Sequence, residues 1–85
     1  MNKRFFDEAF EQYIYWQMQD RKTLKRINEL IKDIDRNGVN KGIGKPEKLK
    51  YEDGWSRRID EKNRLVYKID EQNCLQIISC KGHYE

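Results

Sequence analysis

Histidine, proline and cysteine are scarce in this chain, and each scarcity closes off a class of protein. Of 85 residues, one is histidine (His83), one is proline (Pro46) and two are cysteine (Cys74 and Cys80). Two thiols and one imidazole do not make a zinc site, and no metal or other cofactor is expected. The cysteines fall in one expected strand, roughly 20 Å apart at ~3.3 Å per residue, too far for a disulfide. They read as core thiols of a reducing compartment. A single proline and no low-complexity tract argue against disorder. No apolar run approaches a membrane span, and no signal-peptide core follows Met1–Arg4. The expectation is a cytoplasmic protein with no membrane association, one domain over residues 1–85.

Apolar residues are also in short supply, at 36% against 39% charged. The core must be thin, and ten aromatic residues compensate by burying a large area each. The net charge of +3 is unevenly placed. Lys41, Lys45, Lys48 and Lys50 stand against Glu47 alone in residues 41–50, and Arg57 and Arg58 follow. Concentrated positive potential suits a phosphate-bearing partner. The plain alternative is a solvated lysine loop.

The first half reads as helical and the second as strands. Asp7 can cap a helix carrying Phe10, Tyr13, Ile14 and Gln17 on one face. Asp20 can cap a second, in which Leu24, Ile27, Ile31 and Ile34 form an apolar stripe widened by Leu30, and Asn37-Gly38 can end it. Both stripes read as core. Gly42, Gly44 and Pro46 mark an irregular stretch. Strands are expected near Trp55–Asp60, Arg64–Asp70 and Cys74–Lys81, joined by short polar turns as an antiparallel meander. The fold class is α+β: two N-terminal helices packed on one face of a small antiparallel β-sheet, with the basic loop able to reach the other face.

RNA can be cut by its own 2′-hydroxyl, given a base, positive charge on the phosphate and an acid for the leaving oxygen. Glu47 is a candidate base, stiffened by Pro46. Arg64 is a candidate for bidentate phosphate binding. His83 carries the side chain whose ordinary pKa lies nearest neutrality, and is a candidate acid. Each has a plain alternative: a solvated loop acid, a surface strand arginine and an exposed terminal histidine. Trp55 and Tyr84 could stack on bases, although Trp55 could equally cover the core edge. Lys48 and Lys50 are candidate substrate contacts. Arg57 and Arg58 point to opposite sheet faces, so only one can share the face of Arg64.

Several runs together carry a resemblance that no single one does. They are Tyr13–Gln17, Lys25–Asp33, Gly44–Lys50, Trp55–Ile59, Arg64–Tyr67 and Cys80–Tyr84. In order and spacing, over nearly the whole chain, they resemble the YoeB/Txe toxins of the RelE-like toxin–antitoxin superfamily. The resemblance implies a RelE-like α+β ribonuclease fold and a metal-independent endoribonuclease that cuts mRNA in the A site of the 70S ribosome. It implies Glu47 as general base, His83 as general acid, Arg64 on the phosphate, Tyr84 completing the site, and Lys50 and Arg58 near the substrate. It also implies a YefM-like antitoxin, operator DNA contacted through the antitoxin complex, and a toxin that can be dimeric. The chain departs from the family pattern in Glu85 beyond the usual terminal tyrosine, in a shorter segment between Lys50 and Trp55, and in Gly82. The rival readings are a non-catalytic RNA- or ribosome-binding module and a protein-docking domain.

Overall fold

The structure, a computed structural model, describes residues 1–83. In chain order the elements are β1 (Lys3–Phe5), α1 (Asp7–Gln19), α2 (Arg21–Asn37), β2 (Glu47–Lys48), β3 (Trp55–Arg58), β4 (Arg64–Ile69) and β5 (Leu75–Ser79). They form one five-stranded sheet ordered β1-β5-β4-β3-β2. The expected meander is β3–β4–β5, with Arg57 opposite Leu65 and Ile69 opposite Leu75. Two short strands extend it. β1 lies parallel to β5, with Phe5 opposite Ile77, and β2 is antiparallel to β3, with Glu47 opposite Ser56. The sheet is therefore mixed, and Glu47 belongs to a strand edge rather than to a free loop.

The helices reverse on a single residue. Asp20 closes α1 through its own amide to the Trp16 carbonyl (2.9 Å). Its carboxylate caps α2, accepting the Lys22 and Thr23 amides and the Thr23 hydroxyl at 3.1, 3.2 and 2.8 Å. These bonds satisfy donors that the first helical turn leaves without partners. Asp7 caps nothing: the residue before α1 is Phe6, without a side-chain cap, and Asp7 and Glu8 lie inside the first turn. There they oppose the positive end of the helix dipole.

Both helices cover one face of the sheet. Ile27, Leu30, Ile31 and Ile34 of α2 meet Leu65, Tyr67, Leu75 and Ile77 of the strands, as the stripe predicts. Full burial of each aliphatic side chain stabilises the fold by about 1.5–3 kcal/mol. The inner face of α1 differs from expectation. Ala9 and Trp16 face the core and the Trp16 indole donates to the Cys80 carbonyl at 2.9 Å, while Phe10 and Ile14 are exposed. Cys80 is buried beside Ala9 with its thiol pushed up to about 12, and Cys74 is likewise a free thiol. No helix among the described residues is long and apolar enough to cross a membrane.

Candidate active site

The face of the sheet away from the helices carries a groove of about 350 Å³, lined by Glu47, Lys48, Lys50, Tyr51, Ser56, Arg58, Arg64 and His83. Strand alternation explains how it assembles. On β3, Trp55 and Arg57 face the helices, so Ser56 and Arg58 face the groove. Register then sets Arg64 of β4 opposite Arg58, and Glu47 of β2 opposite Ser56. The carboxylate and Arg64 thus share a face through the two strands that flank β3 rather than by nearness in sequence.

His83 reaches the groove through the chain after β5. The Arg64 amide donates to the Gly82 carbonyl (3.0 Å), and the Gly82 amide donates to the Asn63 side-chain oxygen (2.8 Å). Gly82 adopts φ +86°, a left-handed conformation that favours glycine, and this bend delivers the next residue, His83. The other end of the tether is equally fixed. Asp60 accepts the Lys62 and Asn63 amides, both at 2.8 Å, in the turn between β3 and β4. Burial pushes the Asp60 carboxyl up, but the Asn63 side chain and these two amides outweigh it and hold it below the ordinary range. Within this turn the Arg64 guanidinium donates to the Asp60 and Asn63 carbonyls at 2.7 and 3.1 Å, which anchors it at the groove wall.

The 38–44 loop is fastened to the helix side of β3, and here one expectation is overturned. Arg57, expected among the substrate contacts, is completely buried on the helix side of β3. Its guanidinium forms an ion pair with Asp33 at 2.5 Å and donates to the carbonyls of Gly38, Lys41 and Ile43 and to the Tyr67 hydroxyl. Tyr67 passes a bond on to the Val39 carbonyl at 2.7 Å. Burial pushes the Asp33 carboxyl up, but Arg57, the Ile43 amide and Asn37 outweigh it and hold it below the usual carboxylate range. The loop closes so tightly that a Cβ at Gly42 would run into the Asp33 carboxylate. On its far side the Gly44 carbonyl accepts the Arg58 amide at 2.7 Å. A charge surrounded by this many acceptors is structural.

The open choice between the two arginines is therefore decided for Arg58. Trp55 also leaves the list of substrate contacts: half-buried, it packs against the core cluster, because it shares the Arg57 face. Lys48 and Lys50 line the groove as expected. Tyr84 lies outside the described residues. Sequence reasoning missed Ser56 and Tyr51. Ser56 was readable as the residue two before Arg58 on one face, whereas nothing but adjacency to Lys50 points to Tyr51. The described residues hold no group of three or more His, Cys, Asp or Glu side chains able to bind a metal ion.

Similarity to known proteins agrees with this architecture. Residues 5–84 match the family model of the YoeB-like toxin of bacterial type II toxin–antitoxin system. The chain is 46% identical to Toxin YoeB of Escherichia coli K12 over 80 residues, covering 92% of this chain and 93% of that one. YoeB of Staphylococcus aureus, solved as a dimer, is 53% identical with a TM-score of 0.91, covering 99% of this chain and 98% of that one. The same toxin has been solved in a heterotetrameric complex with YefM, with a TM-score of 0.90. A chain of a Pyrococcus horikoshii RelE–RelB complex shares the fold at 12% identity and a TM-score of 0.68, covering 95% of this chain and 92% of that one. With its matching family model and near-complete coverage, this chain belongs to the YoeB-like toxins of bacterial type II toxin–antitoxin systems.

Proposed function

We propose that the groove is the active site of an mRNA endoribonuclease that cuts in the ribosomal A site by acid–base catalysis. One observation carries the reading: Glu47, Arg64 and His83 line the same groove together with Lys48, Lys50 and Arg58. In this mechanism Glu47 accepts the 2′-hydroxyl proton and the freed oxygen bonds to the adjacent phosphorus. The bond from phosphorus to the 5′-oxygen then breaks, and His83 gives that oxygen its proton. The products are a 2′,3′-cyclic phosphate and a 5′-hydroxyl. Charge develops on the non-bridging phosphate oxygens, where Arg64 donates to them with Arg58 close by. These cations need no metal for that role. Tyr84 completes the site on the family pattern.

Lys48 and Lys50 attract the RNA backbone with a salt-dependent affinity that carries little sequence information. So sparse a site gains from a ribosome that holds the message bent and in line, because pre-set geometry can remove several kcal/mol, on the order of 7 or more, from a barrier. The partners on this reading are a YefM-like antitoxin, the 70S ribosome with its mRNA, operator DNA through the antitoxin complex, and a second copy of the toxin. The test is an mRNA with a 2′-deoxy nucleotide at the scissile position, programmed in the ribosome. It should resist cutting, and cleavage of it at the ordinary rate would rule out attack by the 2′-oxygen.

A further inference from the structure

Residues 80–82, which carry His83 into the groove, are held by α1 as well as by the turn between β3 and β4. β5 ends at Ser79, so the amide and the carbonyl of Cys80 lie past the last strand pairing. Cys80 is completely buried, and buried backbone groups need partners. Two side chains of α1 supply them. The Gln12 side-chain oxygen accepts the Cys80 amide at 2.6 Å, and the Trp16 indole donates to the Cys80 carbonyl at 2.9 Å. The Cys80 thiol donates to the Ala9 carbonyl at 3.6 Å. Ala9, Gln12 and Trp16 are spaced by three and four, so one face of α1 grips a single residue. One residue on, the Lys81 ammonium stands 4.9 Å from the centre of the Tyr15 ring. Gly82 is then tied through both its amide and its carbonyl to Asn63 and Arg64.

We propose that Gln12 is a positioning residue for the cleavage reaction: by accepting the Cys80 amide it seats residues 80–82 on α1 and so sets where His83 stands in the groove. The proposal rests on the acid role of His83 in the functional reading and adds to it a residue that does not line the groove. Trp16 shares the grip and also belongs to the core cluster, whereas Gln12 is only partly buried and does not, so a change at Gln12 separates the hold on Cys80 from packing. The grip uses the oxygen of the Gln12 amide, which a carboxylate of the same length can replace. A misplacement of about 1 Å at a catalytic group can cost on the order of a hundredfold in rate. A modest slackening three residues before His83 is therefore enough to matter.

Cleavage of an mRNA programmed in the 70S ribosome tests the proposal, with kcat and KM separated and amide hydrogen exchange at Cys80 followed in the same proteins. Gln12→Met keeps the length of the side chain and removes the acceptor. It should speed exchange at Cys80 and lower kcat roughly tenfold while KM stays within about twofold, because the loss falls on the transition state. Gln12→Glu keeps an acceptor and should bring kcat back to within about threefold of wild type. Should circular dichroism show Gln12→Met to be unfolded, Gln12→Asn, whose oxygen is one methylene too short, takes its place. In a His83→Ala background Gln12→Met should cost no more than about twofold, since no acid is left to position. A wild-type kcat in Gln12→Met would overturn the proposal. So would a rise in KM at constant kcat, or a full further loss in the His83→Ala background, which would leave Gln12 a structural role alone. Equal cutting by wild type and His83→Ala would overturn the acid role of His83 itself, and the proposal with it.

Discussion

Arg57 and Arg58 are adjacent in β3 and identical in chemistry, yet one faces the helices and the other the groove. Arg57 is completely buried, with its charge answered by Asp33 and its remaining donors by three backbone carbonyls and a tyrosine. Arg58 is exposed, and its backbone is tied into the fold through the Gly44 carbonyl and the Arg26 side chain. The same contrast runs across the whole sheet. One face is closed by helices and fixes the 38–44 loop, and the other stays open and concentrates cations. The lesson is that the sheet face, not the residue type, decides whether a cation is locked into the fold or left facing the open groove.

The largest effect should come from breaking the covered side. Arg57→Met leaves Asp33 buried without its counter-charge and three carbonyls without a donor, so it should cost about 3–5 kcal/mol. Urea unfolding should show a midpoint far below wild type, and an unchanged midpoint would show the cage to be dispensable. Arg58→Gln touches only the open side. Its stability should stay within about 0.5 kcal/mol of wild type. Its cleavage efficiency should fall roughly tenfold, the usual scale for one charge-assisted contact of ~1.4 kcal/mol. The pair of variants sharpens the comparison: the first loses fold before function, the second loses function alone.

A smaller effect is readable in pH. Asp33, Asp60 and Asp70 are all held below the ordinary carboxylate value of 3.8. A carboxylate depressed in the folded state adds stability that is present above its unfolded pKa and lost as pH falls through the folded one. Unfolding free energy should therefore be level from neutral pH down to about pH 5 and decline below about pH 4. Stability that rose on acidification would contradict these assignments. The same decline should persist in Arg58→Gln, since none of the three carboxylates bonds to Arg58.

The sequence was legible where one physical pattern acts alone. The α2 stripe is regular, so Ile27, Leu30, Ile31 and Ile34 reached the core as read. Polar turns between apolar runs gave the meander. The failures share a cause, which is that tertiary partners outvoted local pattern. β1 is only three residues long, and its pairing to β5 lies more than seventy positions away. α1 is apolar on two sides, so Phe10 and Ile14 were as good a core face as Ala9 and Trp16 until β5 and α2 chose between them. Arg57 was read as a candidate substrate contact because an ion pair with Asp33 across 24 positions leaves no mark in spacing. At the candidate site, residue chemistry and then a family resemblance singled out Glu47, Arg64 and His83, and the three line one groove, but spacing alone could not place them there because three separate segments bring them in.

The central claim is that His83 supplies the proton to the leaving oxygen in a groove built by Glu47 and Arg64. The most direct measurement compares wild type with His83→Ala on an mRNA programmed in the 70S ribosome, in EDTA, with the new ends identified chemically. General acid catalysis is worth about 10²–10⁴-fold. The account predicts a loss of that size in the variant at unchanged stability, with wild type leaving a 2′,3′-cyclic phosphate and a 5′-hydroxyl. Equal cutting by both proteins, or 5′-phosphate ends, would contradict it.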